Sequence, residues 1–112
     1  MPLINPTQLS AMATGAVDQF SAILEDFHQT SRQSLAKLEA LEEGRFEPAR
    51  EIAHQLKGAS GSLGLQDFHL LAAECEQNLK QKVSINREQF TRLQQLLETS
   101  VNAARDHLKT LS

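Results

Sequence analysis

The sequence predicts an all-α fold: an antiparallel up-down four-helix bundle with a short additional helix at its N-terminal end. Three observations lead there. Apolar residues recur at intervals of three and four, not two. Helix-start and helix-stop residues divide the 112-residue chain into one short and four long amphipathic segments. The connections between the long segments are short, which sets consecutive helices side by side and antiparallel. A chain of this length predicts a single domain, 1–112, large enough to bury a core without disulfides.

Asn5-Pro6-Thr7 predicts an N-cap followed by Pro at the first helical position, opening a short helix over about 5–13 that carries Leu9 and Met12. Thr14-Gly15 breaks it. Val17, Phe20, Ile23, Leu24, Phe27, Ser31, Leu35, Leu38 and Leu41 then trace one face of a long helix over about 16–43, stopped by Gly44. Pro48 falls in the first turn of the next helix, about 46–63, where its missing N–H costs little. That helix buries Ala49, Ile52, Ala53, Leu56 and Leu63, and Gly64 closes it. Phe68, Leu71, Ala72, Cys75 and Leu79 mark the helix over about 65–80. After a polar connection from Lys80 to Ser84, Asn86 with Gln89 three positions on reads as a capping box. The last helix, about 86–110, repeats Phe90, Leu93, Leu97, Val101, Ala104, Leu108 and Leu111 at near-heptad spacing.

Composition narrows the function. The net charge of −3 leaves no basic face for a nucleic-acid backbone, and with Trp and Tyr absent there is no stacking platform for single strands. A single cysteine, Cys75, cannot form an intramolecular disulfide and points to a reducing, cytoplasmic compartment. No signal peptide, lipidation motif or membrane-length apolar run is present. His28, His69 and His107 lack metal-ligand spacing and read as surface or boundary side chains, so no metal site is expected. Cys75 reads as a small core residue, and Glu39, Glu42, Glu43 and Glu47 as a solvated acidic patch around a turn. No phosphate-binding glycine loop follows a strand, so no ATP site can be assembled.

One segment is not what a bundle alone selects. From His54 to Gly64 the chain reads HQLKGASGSLG. At about 100° per residue, His54, two positions from both Ile52 and Leu56, points away from their buried face, and Arg50, Lys57, Gly58 and Gly61 fall together with it. A glycine inside a helix costs about 1 kcal/mol relative to alanine, so two beside an exposed His and Lys need a compensating role. Glycines let another macromolecule approach closely. Imidazole titrates near neutrality, and its neutral form carries a nucleophilic lone pair. Lys57, one turn on, sets a positive charge near any phosphoryl group carried on that ring. The chemistry these residues suit is phosphoryl capture and release. Geometry adds one more residue: if Gly64-Leu65 is the turn of a helical hairpin, His54 and Glu76 lie equally far from Leu65 and come side by side. A carboxylate there can accept the Nδ1 proton and leave Nε2 to react; the bland reading is an ordinary solvated Glu.

The pattern HxLKGxxxxxG, filled by His54, Leu56, Lys57, Gly58 and Gly64, resembles the signature of histidine-containing phosphotransfer (HPt) domains. The run from His54 to Leu65 is similar to the HPt modules of bacterial hybrid sensor kinases, and the helical layout resembles that family over nearly the whole chain. The resemblance implies that His54 accepts a phosphoryl group from a receiver-domain aspartyl phosphate and passes it to another receiver. It implies that Lys57 assists and that Gly58 clears the docking surface. Many HPt domains carry Gln or another polar group at the place of Glu76, so the carboxylate is a departure. The expected partners are receiver domains of response regulators or of a hybrid kinase. The resemblance also implies that the receiver supplies Mg²⁺ and that the protein is a monomeric carrier without catalytic turnover of its own. Two other readings stand beside this one: a chemotaxis-type phosphotransfer domain phosphorylated from ATP by a separate kinase module, and a helical adaptor without chemistry. Leu9 and Met12 either cover one end of the bundle or add an apolar rim to the docking surface.

Overall fold

A computed structural model describes residues 3–112. Five helices follow in order: α1 (Pro6–Ala13), α2 (Val17–Ala40), α3 (Phe46–Ser62), α4 (Gln66–Lys80) and α5 (Arg87–Lys109). Consecutive long helices pack against each other and α5 returns to α2, so α2 to α5 form a closed up-down ring, its most extensive seam between α3 and α4. Both expected caps form. The Asn5 side chain accepts from the Gln8 N–H at 3.0 Å with Pro6 at the first helical position. Asn86 and Gln89 make a reciprocal capping box.

The core runs along the bundle axis through Phe20, Leu24, Leu35, Leu56, Phe68, Leu93, Leu97 and Val101. Phe27 and Phe68 meet edge to face with ring centroids 6.2 Å apart. Ile52, Leu71 and Leu111 are only partly buried. Cys75 is fully buried, and burial pushes its thiol up to about 12. Among the described residues no helix is long and apolar enough to cross a membrane.

Three expectations need correction. α2 ends at Ala40, three residues short of the expected limit, and Gly44 lies in the following loop at φ 89°. Ile23 is not on the buried face; it is 55 % exposed. His28, expected near the surface, is 4 % exposed in the α2–α5 seam. Its Nε2 lies 2.9 Å from a Glu98 carboxylate oxygen, and Arg105 approaches its Nδ1 at 3.1 Å. A guanidinium only donates, so Nδ1 accepts and Nε2 carries the proton given to Glu98.

α1 lies across the end of the bundle at the α3–α4 turn. The Asn5 N–H donates to the Gly64 carbonyl at 2.8 Å, and Gln8 Nε2 donates to the Gly61 carbonyl at 3.0 Å. Leu9 is fully buried and belongs to the core, while Met12 is exposed. Gly64 takes φ 72°, a backbone conformation that favours glycine, and its α-carbon faces Gln8 and Leu9.

Candidate functional site

Two antiparallel helices build the site. His54 stands midway along α3, one turn after Arg50 and one turn before Lys57 and Gly58; Glu76 faces them from α4. The hairpin turn at Leu63–Leu65 sets the register that brings Glu76 beside His54. The imidazole is largely exposed, with 61 % of its side-chain surface open, whereas the Glu76 side chain is 4 % exposed.

A buried carboxylate requires compensation. Glu76 finds it on both oxygens: Oε1 lies 2.7 Å from Lys57 Nζ, and Oε2 lies 2.8 Å from His54 Nδ1. Arg50 Nη1 and Lys80 Nζ each stand 3.9 Å from Oε2. Glu76 is held below the usual carboxylate range, chiefly by the hydrogen bond from Lys57, against the opposing effect of burial, with His54 adding to it. An ionised carboxylate only accepts, so the His54 proton resides on Nδ1. The lone pair is then on Nε2, which makes no hydrogen bond among the described residues. The bland alternative, an ordinary solvated Glu, does not describe this residue; it is the polar centre of the α3–α4 seam.

The glycines separate. A Cβ built at Gly58 meets nothing within 4 Å, so that part of α3 offers backbone to an approaching surface. Gly61 does not share this openness. A Cβ there would stand 2.8 Å from His69 Nδ1 and 2.9 Å from its Cε1. The His69 ring lies over Gly61, and its Nδ1–H donates to the Lys57 carbonyl at 2.7 Å. Gly61 therefore admits a side chain of α4, not a partner protein. Sequence reasoning missed His69 and Lys80, because both act across a helix–helix seam whose register only the hairpin reveals. Among the described residues no three His, Cys, Asp or Glu side chains gather as a metal-holding group.

Comparisons with known proteins agree with the helical fold. A sequence model of the Hpt domain matches residues 22–103, from within α2 to within α5. The X-ray structure of a rice protein described as a histidine-containing phosphotransfer protein shares the fold: the TM-score is 0.65 at 20 % identity, over 97 % of this chain and 80 % of that one. No curated protein matches. With its helical bundle and a family match over most of its length, the chain belongs to the Hpt domain family, the histidine phosphotransfer modules of phosphorelays.

Proposed function

We propose that this protein is a phosphorelay intermediate in which His54 takes a phosphoryl group from the aspartyl phosphate of one receiver domain and hands it to another. The observation that carries the reading is the pairing of an exposed imidazole with a buried carboxylate, Glu76 Oε2 lying 2.8 Å from Nδ1. That contact fixes the tautomer with its lone pair on Nε2, facing solvent. In the forward step the lone pair attacks phosphorus. The P–O bond to the aspartyl carbonyl breaks and its electron pair leaves on the receiver's carboxylate. The product ring is cationic, phosphorylated on Nε2 and still protonated on Nδ1, where Glu76 balances its charge. In the return step a second receiver's aspartate attacks phosphorus, the N–P pair goes back to Nε2, and neutral imidazole is restored. No proton needs to enter or leave.

Lys57, whose Nζ lies 2.7 Å from Oε1 of the same Glu76, assists at the phosphoryl oxygens in this reading. Gly58 keeps the adjoining surface free of side-chain bulk. Mg²⁺ sits with the receiver's carboxylates and offsets the charge of the group in transit. In this reading the protein is a monomeric cytoplasmic carrier that binds receiver domains, not nucleic acid, and uses no ATP of its own.

The test is incubation with a radiolabelled phosphorylated receiver and Mg²⁺, with ATP and Mg²⁺ alone as the control. Label should appear only with the receiver, be lost in acid and survive base, as a phosphoramidate does. His54→Gln should fold and take up none. Acid-labile label in His54→Gln, or self-labelling from ATP alone, overturns the assignment.

A further inference from the structure

Glu76 is approached by more positive charge than it can use. Both its oxygens already accept a hydrogen bond at under 3 Å, from Lys57 and His54. Arg50 and Lys80, at 3.9 Å, lie beyond hydrogen-bond reach of it. They flank the α3–α4 seam one turn from His54 and Glu76 respectively, on the side away from Gly58. Arg50 gives its Nε and one Nη to the exposed Glu47, leaving Nη1 free for another acceptor. Lys80 is half exposed and donates no hydrogen bond among the described residues.

The two cations are not scattered. With Phe46, Glu47, Leu79 and Lys82 they line a hollow in the surface beside the site. Lys82, at φ 60°, is the third cation of that wall. A helix C-terminus favours positive charge in the last turn of α4. It does not account for Arg50, which comes from the first half of α3. On a chain of net charge −3 this is a local patch of the opposite sign, set directly beside the nucleophile.

We propose that Arg50 and Lys80 are docking residues: they meet the acidic rim of the receiver's phosphorylation pocket and steer its approach, while Lys57 serves the phosphoryl group. The inference rests on the phosphotransfer reading and names the chemistry of its partner. A receiver that forms an aspartyl phosphate around Mg²⁺ must gather several carboxylates at that pocket. A small cationic patch raises the encounter rate with such a surface and loses its effect as salt screens it.

The experiment measures phosphoryl transfer from a phosphorylated receiver to the wild type and to Arg50→Gln/Lys80→Gln, as a function of salt. The double variant should lose about tenfold in the second-order rate constant at low ionic strength, and the two proteins should converge at high salt. The loss should lie in apparent KM. Arg50→Glu/Lys80→Glu should fall further, and Arg50→Lys/Lys80→Arg should recover the rate, a rescue that lost folding would not allow. If no receiver labels the wild type, the phosphotransfer reading and this inference both fall. If the wild type is labelled and the Gln variant keeps the same rate and salt slope, this inference alone is overturned.

Discussion

A side chain added at Gly58 would point into open space, whereas one added at Gly61 would strike the His69 ring. The two glycines therefore answer to different demands. Gly58→Ala should stabilise α3 by up to about 1 kcal/mol through helix propensity, and any larger residue there should obstruct a docking receiver while the bundle stays folded. Gly61→Ala gains the same propensity, yet it must displace the His69 ring and break its hydrogen bond to the Lys57 carbonyl. Its net effect should be a loss of about 1 kcal/mol, since a strained contact and a broken hydrogen bond outweigh the propensity gain. Urea unfolding of Gly61→Ala with and without His69→Ala checks this: the second substitution should make the first harmless or favourable. Equal cost in both backgrounds would show that His69 is not the obstacle. Part of this distinction is legible in the sequence. Taking Ala53 as origin at about 100° per residue, Gly61 lies about 60° nearer the buried arc than Gly58. What fills the space above it belongs to α4, and α3's own periodicity carries no sign of that neighbour. Glu76 was reachable because a hairpin reflection about Leu65 uses both helices at once.

At the scale of the elements, α2 and α5 are joined by a polar seam as well as an apolar one. Glu98 of α5 takes hydrogen bonds from both His28 and Arg32 of α2, and Arg105 of α5 pairs with Glu25 of α2. The Arg32 guanidinium, with His28 behind it, holds the Glu98 carboxyl down at about 2 from an ordinary 4.5. A carboxyl depressed by folding adds stability that is fully present above its ordinary value and is lost as pH falls through the folded one. The window for Glu98 is therefore between about 4.5 and 2. Glu98→Gln should cost about 1 kcal/mol near neutrality, a modest figure because the pair is partly exposed to water. The difference from wild type should close as pH approaches 2, read as urea midpoints along a pH series. A gap that stays constant would assign the cost to packing and not to charge. The position of His28 was present in the helical angles: with Leu24 as origin it lies about 40° away, next to Leu35 at about 20° on the same side, whereas Ile23 lies about 100° off. Reading by hydropathy placed the isoleucine inside and the histidine outside. Angle decided the outcome, because a partner carboxylate and guanidinium were available to satisfy the ring.

For the molecule as a whole, the four long helices could be read from periodicity and the leading helix could be set over one end of the bundle, but which end could not be read. The length and caps of α1 are local properties. Its docking across the α3–α4 turn depends on a turn that Gly64 shapes at φ 72° and whose carbonyl accepts the Asn5 N–H, a feature of the assembled bundle. This placement divides stability from chemistry. α1 precedes the stretch matched by the family and covers the end of the bundle near Gly61 to Gly64, about two turns of α3 beyond His54. Leu9→Ala should therefore destabilise the protein by about 3 kcal/mol, the cost of emptying a fully buried leucine site. Against a typical stability of about 5–15 kcal/mol, most molecules remain folded at room temperature. Transfer from a phosphorylated receiver to His54 should then proceed at the wild-type rate, while the urea midpoint and Tm fall. An unchanged midpoint would mean that α1 adds nothing to the core. A folded Leu9→Ala protein that receives phosphoryl groups slowly would move α1 from the end cap to the docking surface.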